Sequence, residues 1–351
     1  MSEVNNISKF VVYTTEDNLI RLCSEKENSW YKIIMKIKEV VVFTKNGDNW
    51  DTTNKLLQTL HRAGVSICTG DNDFINQIAT NHPEYVLEDP CAAYLLDIDK
   101  EKAEKIQNKY GVICQPQTDN SNILVQKGWD IDTAVCAQEQ KSWQSFFAGH
   151  NCPLNSLVII DRYFFSSEAG ETIEYSLHNL RKILDALLPA SCPDNVIQIS
   201  LVFDFKTLNQ NIDGRNYSLR NLAEDVNRVK RKVREYAYTL ELLSIDSDCY
   251  NYKDTHNRRI IANFSITYAL HKLKAFYEGD KSLSDQNIIF NRLFDKGLDD
   301  GDKSTTPAAS QKDILDKIKD IISTSKSTIE YACNGRVFAT NTFEIQNRLL
   351  K

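Results

Sequence analysis

The sequence predicts an α/β protein of mixed, mostly parallel sheets flanked by helices. Three features lead there. Short apolar, β-branched runs recur, such as Val-Val-Val at 40–42 and Leu-Val-Ile-Ile at 157–160, and they read as buried strands. Between them lie stretches whose apolar residues repeat every three or four positions, which marks a helix with one buried face. Glycine or proline closes several of these stretches, as Gly64, Gly111, Gly149 and Pro189 do.

In chain order, 7–13 reads as a first strand and 17–35 as containing a helix. Residues 39–44 form an apolar strand. A helix over 52–63 turns Leu56, Leu57 and Leu60 inward, stops at Gly64 and leads to a strand at 65–68. This strand–helix–strand unit implies parallel pairing. A short helix at 73–79, a strand at 94–98, a helix capped by Asp99 and ended by Gly111, and a strand at 112–114 follow. A helix is expected over about 131–148, with Ile131, Val135, Trp143 and Phe147 as apolar contacts. Loss of periodicity at 150–155 sets a domain boundary there.

The second half repeats the alternation. A strand at 157–160 ends in Asp161-Arg162-Tyr163, and a helix carries Ile173, Leu177, Leu180, Ile183, Leu184 and Leu187 to Pro189. A strand at 197–205 precedes a helix at 218–237 capped by Ser218, and a strand at 239–245 follows. The polar stretch 297–310 reads as a mobile loop. Beyond it, a helix at 311–324 turns Ile314, Ile318 and Ile321 to one side, 336–340 reads as a late strand and 343–350 as a terminal helix. The expected layout is an α/β domain of unknown role over 1–150, a second domain over 151–296, the loop 297–310, and a C-terminal helical segment over 311–351 that packs on the second domain.

Composition narrows the function classes. At 351 residues the chain has room for two or three domains, and 42% hydrophobic with 26% charged residues is ordinary for a soluble globular protein. No run approaches a membrane span, and Met-Ser-Glu-Val-Asn-Asn lacks the basic and apolar regions of a signal peptide, so a cytoplasmic protein is expected. Nine scattered cysteines without a C-x-x-C pair predict reduced thiols and no metal centre. The acidic pairs Asp71/Asp73, Asp97/Asp99 and Asp130/Asp132 are explained by caps and turns more readily than by a metal ion. A formal net charge of −6 gives no global attraction to nucleic acid, so basic contacts must be local. P-loop, G-x-G-x-x-G, G-x-S-x-G and H-E-x-x-H patterns are absent, and no cofactor is expected.

The stretch 254–268, Asp-Thr-His-Asn-Arg-Arg-Ile-Ile-Ala-Asn-Phe-Ser-Ile-Thr-Tyr, runs a polar cluster into an apolar strand. His256 and Arg258 stand two apart, so in a strand they share a face and could meet one phosphate, the imidazole as nucleophile and the guanidinium as anchor. With Asn263, their spacing resembles the H-x-K-x-x-x-x-D motif of the phospholipase D superfamily, with Arg for Lys and Asn for Asp. The resemblance spans about 155–280, where the order β-α-β-α-β-β is similar to one lobe of such an enzyme. It implies a metal-free phosphodiesterase in which a second motif supplies a second histidine. Residues 1–150 contain no second motif, so the second histidine would have to come from a second chain, as in a homodimer, or from a residue outside any motif such as His150, His178 or His271. Asn263 lacks the charge to support an imidazolium, which shifts the expectation towards phosphate binding, with a nucleic acid or other phosphodiester as ligand, or a protein partner.

Further candidates flank this motif. Asp161 and Arg162 follow a strand, where loop side chains face the ligand crevice of a parallel sheet. Arg228, Lys230 and Arg231 lie on the polar face of the 218–237 helix, where they could contact a phosphate backbone or form a solvated face. Arg259 stands beside Arg258.

Overall fold

The computed structural model describes residues 10–37, 39–43, 55–70, 72–89, 91–132, 142–166, 172–208, 211–212, 215–246, 258–269, 273, 276, 287–295 and 306–351. The predicted class holds: a five-stranded parallel sheet and a mixed nine-stranded sheet are flanked by helices.

The first sheet is built from β1 (Val12–Thr15), α1 (Glu16–Ser24), α2 (Ser29–Ile37), β2 (Glu39–Phe43), α3 (Lys55–Arg62), β3 (Ser66–Gly70), α4 (Asn72–Thr80), β4 (Ala93–Leu96), α5 (Lys100–Tyr110) and β5 (Ile113–Pro116). Its strand order is β3-β2-β1-β4-β5, parallel throughout. The helices α1, α2 and α3 cover one face through Leu19, Trp30, Ile33 and Leu57, and α4 and α5 cover the other through Ile78 and Ile106. The local signals do what they predict. Asp99 Oδ1 accepts the Lys102 N–H at 2.8 Å, and Gly111 ends α5 in the left-handed region at φ 66°. A Cβ at Gly111 would stand 2.3 Å from the Leu154 carbonyl oxygen, so glycine also permits close contact with the second unit.

The second sheet comprises β6 (Trp129–Asp132), α6 (Trp143–Phe146), β7 (Ser156–Ile160), α7 (Ile173–Leu187), β8 (Ile197–Phe203), the small hairpin β9 (Asn211–Ile212) and β10 (Arg215–Asn216), α8 (Leu219–Val233), β11 (Tyr238–Ser244), β12 (Arg258–Ala262), β13 (Ser265–Ala269), β14 (Asn287–Arg292), α9 (Pro307–Thr324), β15 (Glu330–Cys333) and β16 (Arg336–Phe338). The order is β16-β15-β11-β8-β7-β12-β13-β14-β6, with β9 and β10 pairing apart from it. Strands β7, β8 and β11 are parallel, and β12 runs antiparallel to β7. One face packs on α7 and α8 through Leu180, Ile183, Leu222 and Val226, the other on α9 through Leu315 and Ile318. The two sheets share a core, because Phe264, Leu293 and Phe294 of the second pack among Val12, Leu19 and Trp30 of the first.

Three expectations are corrected. Residues 129–132 form an edge strand rather than the start of a helix, because Trp129 and Ile131 alternate with Asp130 and Asp132; 133–141 lie outside the described residues, and among the described residues of the stretch Trp143–Phe146 is helical. The boundary near 150–155 therefore falls inside the second sheet's unit. Third, 343–350 is not a helix, and the C-terminal segment also contributes β15 and β16 to the sheet. The tail is held by Glu241, wholly buried on β11. Its carboxylate accepts from Ser200 Oγ (2.7 Å), Tyr331 OH (2.5 Å) and the N–H groups of Gln346 (2.6 Å) and Asn347 (3.2 Å). Burial and the Glu241 charge push the Tyr331 phenol pKa upward, which keeps it a donor.

Candidate phosphate-binding edge of the second sheet

Parallel pairing puts the carboxyl ends of β7, β8 and β11 at one edge, and antiparallel pairing brings the first residue of β12 to the same place. An aspartate follows each parallel strand: Asp161 after β7, Asp204 after β8 and Asp246 shortly after β11. Arg258 opens β12 opposite Asp161. Its Nε lies 3.4 Å from Asp161 Oδ1, and both side chains are more than nine-tenths buried.

Asp161 is fixed by the backbone as well. Its Oδ1 accepts the Tyr163 N–H at 3.0 Å and its Oδ2 the Leu273 N–H at 3.3 Å. Arg162 Nε stands 3.6 Å from Asp204 Oδ2, and the Arg162 carbonyl accepts from the Asp204 N–H (3.1 Å) and Thr207 Oγ1 (3.2 Å). Lys206 pairs with Asp246. Both guanidiniums lie over the Tyr163 ring, that of Arg162 at 5.1 Å from its centre and that of Arg258 at 5.7 Å. The edge thus holds three cations against three carboxylates, with Arg162 and Arg258 over one tyrosine. Buried carboxylates orient the planar forks, and an oriented fork suits a tetrahedral oxyanion.

The sequence-derived candidates divide between places. Asp161, Arg162 and Arg258 meet at this edge. His256 lies outside the described residues. Asn263 follows the other end of β12, about 16 Å from Arg258 at ~3.3 Å per strand residue. There Asn263 Nδ2 donates to the Gly111 carbonyl (3.1 Å) and its Oδ1 accepts the Asn155 N–H (3.2 Å), while Asn155 Nδ2 reaches the same carbonyl at 2.9 Å. Asn263 therefore closes a seam between the two units and stands away from Arg258.

Arg259 points to the opposite sheet face, its guanidinium 4.4 Å from the centre of the Tyr268 ring. Arg228 pairs with Asp225, and Arg231 is exposed. Lys230 donates to Asn334 Oδ1 at 2.7 Å; burial lowers its pKa. Asn334 in turn accepts the Leu240 N–H near the start of β11, so this end of α8 lies towards the amino edge of the sheet. The basic run on α8 is thus not joined to the Arg258 cluster.

Sequence reasoning passes over Asp204, although Phe203-Asp204 repeats the pattern of Ile160-Asp161, an apolar strand closed by an aspartate. Among the described residues no group of three or more His, Cys, Asp or Glu side chains is placed to hold a metal ion, the seven described cysteines are free, and no helix is long and apolar enough to cross a membrane. No protein family matches the chain, and no curated protein and no solved structure is significantly similar to it.

Proposed function

We propose that the carboxyl edge of the nine-stranded sheet binds a phosphate group of a phosphodiester, with nucleic acid as the ligand, and that it binds without turning it over. The observation that carries this reading is the pair of guanidiniums, Arg162 and Arg258, held over one tyrosine by buried aspartates at a strand-end edge. The aspartates cost affinity for an anion but remove the cost of orienting the arginines. The distance between Arg258 and Asn263 speaks against turnover, since the third residue of the motif is built into the seam.

The test is fluorescence anisotropy of the full chain with labelled single-stranded DNA and RNA at two salt concentrations. Arg162→Ala and Arg258→Lys should each weaken binding about tenfold, roughly 1.4 kcal/mol; Arg162→Ala, which removes a charge, should also flatten the salt dependence, and Arg258→Lys should leave it unchanged. Arg258→Lys keeps a charge opposite Asp161 but loses the fork, so a folded variant with lower affinity would isolate the guanidinium. Affinity unchanged in both variants would overturn the proposal. Cleavage that persists in EDTA and vanishes in His256→Ala would replace it with a metal-independent phosphodiesterase.

A further inference from the structure

The five-stranded sheet has a carboxyl edge of a different kind. The chain leaves central β1 towards β2 and β3 on one side and returns to β4 and β5 on the other. Helices α1 to α3 lie on one face, α4 and α5 on the other. The connections after β1 and β4 therefore diverge to opposite faces, and strand order reverses between them. An open parallel sheet leaves room for a ligand at such a reversal. A crevice of about 510 Å³ lies there, the size of a small-molecule site.

Its lining is pre-set. Thr15 Oγ1, at the end of β1, donates to Gln117 Oε1 beyond β5 at 2.9 Å. Arg21 Nη2 donates to the Gln117 carbonyl at 2.8 Å, and Asn18 Nδ2 to Thr14 Oγ1 at 2.7 Å, so both strand ends are tied to α1. Glu16 and Asp97 bring carboxylates from the β1 and β4 connections, and Phe43 brings an aromatic wall that stacks on Tyr13. No lysine or arginine lines the crevice among the described residues.

The Asp97, Glu16 and Asp17 carboxylates at the crevice disfavour a phosphorylated ligand, and among the described residues they are not grouped for a metal ion. They are hydrogen-bond acceptors for hydroxyl and amino donors, as an acidic residue is for ribose hydroxyls in dinucleotide-binding sheets. The apolar side formed by Phe43 and Leu96 suits a flat base. The geometry points to this crevice as a nucleoside-binding site that takes the unphosphorylated nucleoside. It is independent of the phosphate-binding edge and stands if that reading fails.

Isothermal titration of the full chain with adenosine, guanosine, cytidine and uridine, then with their 5′-monophosphates with and without Mg²⁺, tests it. At least one nucleoside should bind saturably, its monophosphate about tenfold more weakly, and Asp97→Asn and Gln117→Leu should each weaken the nucleoside about tenfold. Ala79→Trp, which fills the α4 side of the crevice, should abolish binding. Arg258→Lys should leave it unchanged, which separates this site from the phosphate-binding edge. The inference is overturned if none of the four nucleosides binds, if binding survives all three crevice variants, or if a monophosphate binds more tightly than its nucleoside in either buffer.

Discussion

At its first residue β12 enters a group of charges, and just past its last it enters a group of amides. Arg258 meets Asp161 near Arg162, Asp204 and Tyr163, whereas Asn263 bridges Gly111 and Asn155 with one donor and one acceptor. The amides extend along the amino edge: Asn195 Nδ2 donates to the Tyr110 carbonyl at 3.1 Å, and Asn347 Nδ2 to the Leu157 carbonyl at 2.8 Å. A permanently closed seam needs donors and acceptors but no charge to desolvate, and an amide supplies both. An edge that receives an anion needs full charge held in a fixed direction. One strand serves both needs because its ends lie at opposite edges of the sheet.

The largest effect is expected where the tail crosses the sheet. Glu241→Ala would leave the Ser200 hydroxyl and two tail N–H groups without their acceptor, would leave Tyr331 OH only the Glu344 carbonyl at 3.3 Å, and would open a cavity at a wholly buried position. A loss of about 3–5 kcal/mol in urea unfolding is expected. Oligonucleotide affinity of the folded fraction should be unchanged. A variant that stays stable but loses affinity would break the separation between seam and edge.

Asn263→Asp sharpens the same comparison, because it restores the acidic residue of the motif. A carboxylate there loses the donor to the Gly111 carbonyl and places a buried negative charge beside that oxygen. A loss of about 2–3 kcal/mol in chemical denaturation is expected, with no gain in phosphodiester cleavage. Cleavage that appears in the variant would show that the carboxylate acts over the length of β12.

These two positions also show what was legible in the sequence. The alternation of apolar runs and helical spacing, Asp99 with Gly111, and the Ser218 cap are local signals, and the elements follow them. Asp161 and Arg258 could be singled out because each adjoins an apolar strand. Their pairing depends on β12 lying antiparallel beside β7, a contact across 97 residues that spacing along the chain does not encode. Asn263 was legible only as the third position of the motif, and its partners Gly111 and Asn155 are fixed by tertiary packing. The crevice beside β1 was hidden for the same reason, since Thr15 and Gln117 meet only once five strands are ordered.

The smallest effect belongs to His150, which the sequence offers as a second histidine. Its Nε2 lies 3.4 Å from Ser265 Oγ, beside the Asn263 turn, so it sits at the amino edge and cannot serve Arg258. Burial, then the nearby Arg292 charge, lowers its pKa from 6.5 to about 4. The folded chain therefore keeps this imidazole neutral at pH values where the unfolded chain protonates it. The stability tied to neutral His150 is complete above pH 6.5 and falls away as the pH drops towards 4. For a half-buried ring the loss should be about 1–2 kcal/mol, below the full value of the shift. Urea unfolding of the native chain and of His150→Gln at pH 7 and pH 4.5 isolates this contribution from the carboxylates, which titrate in both. The native chain should lose more stability than the variant between the two pH values; equal losses would mean that His150 titrates alike in both states and that the seam carries no acid-sensitive group at this position.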